Sequence, residues 1–231
     1  MEIQNFYTTI PQGSNNVNVD YKNYEKMKIN LNSRYLIVGC GGAGKTNVLL
    51  NLLKNFNCFT KYYLYVKQPE EPLYAKFISF INAIEKKTKT PILEVYTNLD
   101  TLEEPEAWLD KEEKNCIIFD DMLMDKKLEE KAGHIWIRAR KLMATCFFLS
   151  QSYFKTPSII RLNSDYIIIK KLATLGDLSR ILREYNFQDI TKEKMLQIYN
   201  YATKDMKHFL LIDLNNPTEK FRLNFTPIKM Q

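Results

Sequence analysis

The sequence predicts an α/β fold: a mainly parallel central sheet flanked by helices and finished by a C-terminal β-hairpin. Three observations carry that expectation. Between Tyr35 and Ile169, short unbroken apolar runs alternate with longer amphipathic stretches. The runs lack polar alternation, as strands buried on both faces of a parallel sheet do. Beyond the sixth run the texture changes to two helical patterns and then two short β runs around the turn Asn215-Asn216-Pro217.

The elements follow in order. Residues 1 to about 20 are polar and turn-rich (Pro11, Gln12, Gly13, Ser14, Asn15, Asn16) and read as a flexible N-terminal arm, leaving 21–231 as the folded domain. The expected strands are Tyr35–Val38, Tyr62–Val66, Ile92–Tyr96, Cys116–Phe119, Thr145–Leu149 and Tyr166–Ile169. The expected helices between them are Lys45–Asn55, Pro72–Lys86, Leu102–Lys111 and Lys126–Leu142, a βαβ rhythm with right-handed crossovers. Leu175–Tyr185 and Lys192–Ala202 read as two further helices, and His208–Leu214 with Phe221–Phe225 as the hairpin.

Composition bounds the function loosely. At 231 residues the chain holds one such domain, or one with a small appendage. Lys and Arg total 33 against 27 Asp and Glu, a formal charge of +6. That excess permits a nucleic-acid partner without demanding one. Cys40, Cys58, Cys116 and Cys146 have no CxxC or Cys/His spacing, so no zinc site is expected. They fit a reduced, intracellular compartment. No apolar run approaches the ~18–20 residues of a membrane span, and the N-terminus has no signal-peptide core, so a soluble protein is expected.

The strongest chemical signal is Gly39-Cys40-Gly41-Gly42-Ala43-Gly44-Lys45-Thr46, a match to GxxxxGK[ST]. It follows the apolar run Tyr35–Val38 and leads directly into a leucine-rich helical pattern. Glycines let backbone N–H groups converge on phosphates, and the helix start adds its partial positive charge. Lys45 would reach the β- and γ-phosphates of ATP, and the Thr46 hydroxyl would ligate Mg²⁺. The second signal is Cys116-Ile117-Ile118-Phe119-Asp120-Asp121, a buried strand ending in two acids. Asp120 beside the phosphate loop would hold Mg²⁺ through a water, and Asp121 would orient or deprotonate the attacking water. Asp121 as a mere helix cap is the plainer alternative.

A third strand, Thr145–Leu149, closes on Ser150-Gln151, and a neutral amide there contacts both the γ-phosphate and the attacking water. Three arginines lie nearby, Arg138 and Arg140 before that strand and Arg161 after it. An arginine reaching into a neighbouring subunit's site is worth roughly 10³–10⁵ in rate. Position alone does not choose among them, nor separate them from a solvated helix face.

These motifs, in this order, resemble the FtsK–HerA superfamily, and within it the genome-packaging ATPases of poxviruses, giant viruses, virophages and related transposons. The likeness spans roughly Tyr35 to Ile169 and extends to the final hairpin, while the N-terminal arm carries none of it. In that family the phosphate loop is followed by Asn and a leucine-rich helix, matched here by Asn47 and Leu49, Leu50, Leu52 and Leu53. The family's second block resembles the stretch from Arg140 through Gln151 and Pro157 to Arg161 and Asn163. Its trans-acting arginine precedes the Gln by eleven residues, the place Arg140 holds. Many related ATPases carry Glu where Asp121 stands; an Asp is one methylene shorter, so its water must sit closer.

The resemblance implies a P-loop NTPase of the RecA-like (ASCE) type, hydrolysing ATP with Mg²⁺. It implies a pentameric or hexameric homo-oligomeric ring that moves double-stranded DNA into a preformed capsid, with a capsid protein or portal as partner. If the chain is viral, its place is the host cytoplasm or virus factory, and the virion. DNA contact would fall to Lys86, Lys87 and Lys89 or to Lys170 and Lys171. A ring helicase or recombination ATPase remains the nearest alternative, since it too uses a strand-end Gln and a trans arginine. A P-loop nucleotide kinase is further off, because no arginine-rich lid or acceptor pocket is evident.

Overall fold

The computed structural model describes residues 20–98, 104–120, 126–139, 141–185, 187 and 190–229, and of residues 126–129 the backbone alone. The chain enters through a short helix α1 (Tyr24–Met27) and then runs β1 (Arg34–Val38), α2 (Lys45–Phe56), β2 (Lys61–Val66), α3 (Pro72–Thr88) and β3 (Leu93–Tyr96). It continues through β4 (Asn115–Asp120), α4 (Lys126–Ala139), β5 (Ala144–Ser150), α5 (Ser158–Arg161) and β6 (Tyr166–Ile169). The C-terminal part holds α6 (Leu175–Glu184), α7 (Lys192–Ala202), β7 (Leu210–Asp213), β8 (Phe221–Leu223) and β9 (Thr226–Pro227).

Among the described residues the strands form a nine-stranded sheet in the order β3-β2-β4-β5-β1-β6-β7-β8-β9. The block from β3 to β6 is parallel, and β7, β8 and β9 extend it antiparallel. Strand β5 therefore lies between the strand that feeds the glycine loop and the strand that ends in Asp120, which brings three strand ends side by side.

Alternate residues of each central strand enter separate cores. Leu36, Val38, Tyr65, Ile117, Phe119 and Phe148 face Trp136 of α4, Ile181 of α6 and Met195 of α7. Tyr35, Ile37, Leu64, Ile118 and Phe147 face Leu49, Leu52 and Phe56 of α2 and Tyr74 and Ile81 of α3. Both faces are covered, so both sets are apolar, and this is why the runs carry no polar alternation. Trp136 is fully buried, and its indole N–H donates to the Ile160 carbonyl at 3.1 Å, which removes the penalty of an unpaired donor.

Three expectations are corrected. Strand β3 is not buried on both faces: it is the last strand at one edge of the sheet, its residues are only partly covered, and Val95 is exposed. In place of a helix over Leu102–Lys111, the described part holds a single 3₁₀ turn, Pro105–Ala107. Pro105 lacks the N–H a continuing helix needs and clashes with the preceding turn, so it sits where a helical turn can only start. Helix α4 stops at Ala139 rather than Leu142, and a turn over Lys141–Met143, ending at the positive φ of Met143, re-aims the chain into β5. Of the expected N-terminal arm, residues 1–20, all but Asp20 lie outside the described residues, and Asp20 pairs with Lys114. Beyond it Tyr21 is docked, its hydroxyl donating to the Ile29 carbonyl at 2.7 Å and its ring packing edge-on against Phe56.

Candidate functional site

The loop between β1 and α2 is shaped by two glycines in particular. A Cβ on Gly39 would lie 2.7 Å from Cβ of Lys170, so β6 leaves room for no side chain there. Gly44 caps α2 with φ 86°, a left-handed conformation that glycine adopts without the steric cost other residues meet. Neighbouring strands brace the loop: Gly39 N–H donates to Ser150 O at 3.2 Å, and Cys40 N–H to Lys171 O at 2.8 Å. The Lys45 ammonium curls back over the loop and donates to the carbonyls of Gly39 (2.9 Å) and Cys40 (3.2 Å). The first turn of α2 thus presents N–H groups, a helix-dipole positive end and a lysine within one turn of chain.

Lys170 completes the brace from below. It is 2% exposed, and its ammonium donates to the carbonyls of Met206 (2.8 Å) and His208 (2.6 Å), holding the turn before β7 beside Gly44. Burial pulls its ammonium below the ordinary lysine range. A lysine spent this way does not meet DNA, which corrects its place among the expected DNA contacts; Lys171, Lys86, Lys87 and Lys89 are exposed.

Asp120 ends β4 in register with Val66 of β2 and Leu149 of β5. Its Oδ2 accepts a 2.5 Å hydrogen bond from the hydroxyl of Tyr74, on the first turn of α3. The Thr46 side chain also lies near enough to bear on that hydroxyl, so one phenol is close to both groups expected to hold the metal. Burial, and then the Asp120 carboxylate, raise the Tyr74 hydroxyl far above the ordinary phenol range.

A cavity of about 310 Å³ gathers Gly41, Gly42, Lys45, Thr46, Asp120 and Gln151 on one wall system. The remaining loop residues, Gly39, Cys40, Ala43 and Gly44, form the backbone behind it. Asn47 is exposed on the first turn of α2, where its carbonyl accepts from Asn51. Asp121 and Arg140 lie outside the described residues. A larger, shallower groove of about 580 Å³ along α3, lined by Pro69, Ile78 and Lys86 among others, touches none of the phosphate-loop residues.

Arg161 is corrected. It is buried at the end of α5, and both its guanidinium arms are committed: Nε and one terminal nitrogen to Glu184 of α6 at 3.0 and 2.8 Å, the other to the carbonyls of Thr156 and Phe154. Its guanidinium is thus engaged within its own chain, as a structural anchor. Burial pushes the Glu184 carboxyl up, but hydrogen bonds from Arg161, Tyr153 and Arg180 outweigh that and bring it to about 2. Beside this anchor, buried Asp177 of α6 accepts from Ser152 Oγ (3.0 Å) and Phe154 N–H (2.7 Å). The segment that follows Gln151 is therefore tied to α6 at two points. Arg138 is exposed and paired with Glu104 and Glu106.

The cavity is also lined by Lys67, Gln68, Glu71 and Tyr74, which motif reasoning missed. A positional signal existed. They follow β2, the neighbour of the acidic strand, and ligands of open α/β sheets bind beyond the carboxyl ends of the strands.

Comparison with known proteins agrees with this geometry. The family model described as Poxvirus A32 protein matches residues 17–216. The DNA-packaging ATPase B204 of Sulfolobus turreted icosahedral virus superposes with a TM-score of 0.58 at 14% identity, covering 86% of this chain and 99% of that one. The genome-packaging NTPase B204 of Sulfolobus turreted icosahedral virus 2, in complex with AMP, gives 0.55 at 17% identity, covering 85% and 98%. Its complex with ATP-gammaS gives 0.54 at 15%, again covering 85% and 98%. At these identities the likeness establishes the fold. No curated protein matches the chain by sequence.

Proposed function

Because the chain belongs to the Poxvirus A32 protein family, we propose that it is an ATP-hydrolysing motor that packages double-stranded DNA into a preformed viral capsid as a ring of subunits. The observation that carries this reading is the convergence of the glycine loop, Asp120 and Gln151 on one cavity, produced by placing β5 between β1 and β4. B204, whose fold the chain shares, is a genome-packaging NTPase with AMP and ATP-gammaS complexes.

The chain's groups divide the work as follows. Loop N–H groups from Gly41 to Thr46 cradle the phosphates, and Lys45 exchanges the Gly39 and Cys40 carbonyls for phosphate oxygens. The residues present fit Mg²⁺: the Thr46 hydroxyl and the Asp120 carboxylate, which line one cavity, are the hard oxygen donors that ion requires. Bound there, Mg²⁺ supplies neutralisation of the charge shared by the β- and γ-phosphates. Asp121 orients the attacking water and accepts its proton, and Gln151 contacts that water and the γ-phosphate. Arg140 enters the neighbouring subunit's site and stabilises charge on the transferring phosphoryl group, which makes each site half of a pair.

Lys86 and Lys87, in the last turn of α3, and Lys89, just after it, are the channel-facing contacts in this reading, gripping phosphates without reading bases. The test is ATP hydrolysis with and without DNA. Double-stranded DNA should stimulate turnover, and the stimulation should fade as salt is raised. Preference for single strands would favour a helicase, and indifference to all DNA a nucleotide kinase. Among the described residues no helix is long and apolar enough to cross a membrane.

A further inference from the structure

The wall formed by the start of α3 holds a carboxylate to which no motif assigns work. Glu71 is the residue before α3, three positions ahead of Tyr74, and it lines the same cavity as Thr46 and Asp120. Its side chain does not cap the helix it precedes. One of its carboxylate oxygens, Oε2, is fully shielded from solvent and accepts no hydrogen bond. A buried carboxylate oxygen without a donor is costly, and because Glu71 lines a ligand cavity, a small turn of its side chain into that cavity gives this oxygen a donor that arrives with the ligand.

The neighbourhood restricts what that donor is. Glu71 stands one helical turn before Tyr74, whose hydroxyl donates to Asp120 Oδ2 in the cavity that Glu71 and Thr46 also line. Glu71 therefore lies on the metal side of the cavity. Magnesium dehydrates reluctantly and keeps several waters, each carrying protons that must be accepted. We propose that Glu71 is a second acidic acceptor for the water shell of Mg²⁺, acting with Asp120, while Tyr74 occupies Asp120 Oδ2 and leaves the other Asp120 oxygen to the ion and its waters. The start of α3 is in this view the third side of the metal site, beside the glycine loop and the end of β4. The inference rests on the nucleotide-site reading above and adds Glu71 and Tyr74 to it as metal-positioning residues.

The experiment is nucleotide binding, read by the fluorescence of a labelled ATP analogue titrated at increasing Mg²⁺ and, separately, in EDTA. Wild type, Glu71→Gln, Glu71→Asp and Tyr74→Phe are compared, with melting curves as the check on folding. Loss of an outer-shell partner costs about 10–100-fold in metal affinity. Glu71→Gln should accordingly need about tenfold more Mg²⁺ for half its effect on binding, at the low end of that range. Its metal-free affinity should remain that of wild type, and Glu71→Asp should restore part of the loss. Tyr74→Phe should shift the Mg²⁺ midpoint in the same direction.

An unchanged Mg²⁺ midpoint in a folded Glu71→Gln protein, with turnover lost, would place Glu71 on the attacking water and overturn the proposal. Equal loss of binding in EDTA, with a lowered melting temperature, would make Glu71 a structural residue and overturn it too. If Glu71→Gln does not fold, the Glu71→Asp midpoint decides in the same way. Failure of the wild type to bind the analogue at all would instead refute the nucleotide-site reading.

Discussion

Arg161 offers the sharpest thermodynamic test, because its burial separates an anchor from a trans-acting finger. Its side chain is 6% exposed and that of Glu184 13%. Arg161→Ala removes the Glu184 pair and leaves the Thr156 and Phe154 carbonyls without this donor. Deleting one partner of a buried pair costs roughly 3–5 kcal/mol, because the other charge stays buried. For a chain of this size each kcal/mol moves Tm by about 2–4 °C, so Arg161→Ala should melt roughly 6–20 °C below wild type. Glu184→Gln, which keeps the shape and strands Arg161, should fall in the same range.

The pH dependence follows from the depressed Glu184 carboxyl. A folded value of about 2 against an ordinary 4.5 means its ionised form stabilises the fold above 4.5, and that contribution is lost as pH falls from 4.5 through about 2. The Tm gap between wild type and Glu184→Gln should be constant near neutrality and close across that window. Calorimetry across pH measures both effects. The reasoning is refuted if Arg161→Ala melts within about 2 °C of wild type, less than even 1 kcal/mol would produce, and its hydrolysis is recovered by mixing with a Lys45→Ala protein.

Other outcomes follow from the same geometry. Lys45→Ala and Arg140→Ala should each abolish hydrolysis, yet mixed oligomers should recover part of it, because some interfaces then hold an intact loop and an intact arginine. Mixed oligomers that form and recover nothing would exclude Arg140. Gly39→Ala forces a Cβ to 2.7 Å from Lys170, an overpacking that should cost about 1–3 kcal/mol in chemical denaturation and weaken nucleotide binding. Lys170→Met strands the Met206 and His208 carbonyls and should lower stability by about 1–3 kcal/mol for each, while DNA affinity stays unchanged. Replacing Lys86, Lys87 and Lys89 together by Ala should instead weaken DNA binding and flatten its salt dependence, with stability unchanged.

What the sequence made legible was local. Gly39 to Thr46 and Asp120 stand where an apolar strand meets a turn, and that signal is contained in a dozen residues. The strand set was legible for the same reason, apart from β3, whose edge position depends on what pairs with it. Distant pairing was not legible. Tyr74 meets Asp120 across 46 positions of sequence, and only because β2 lies beside β4 with Val66 opposite Asp120. Arg161 reads as a candidate finger until Glu184, 23 residues on, folds over it. Lys170 looks like its exposed neighbour Lys171, but just past the end of β6 the chain turns Lys170 inward onto the Met206 and His208 carbonyls and Lys171 out. Charge in a sequence carries a sign without a partner, and the partner decides whether it binds or braces.

The two ties between α6 and the chain after Gln151 have a mechanical consequence. Asp177 grips that chain at Ser152 and Phe154, and Glu184 grips it at Tyr153 and Arg161, one near each end of α6. A strap held at both ends of a stiff rod has no slack. In the proposed motor, a shift of Gln151 between nucleotide states should therefore be passed to α6 as a displacement of the helix rather than taken up in the loop.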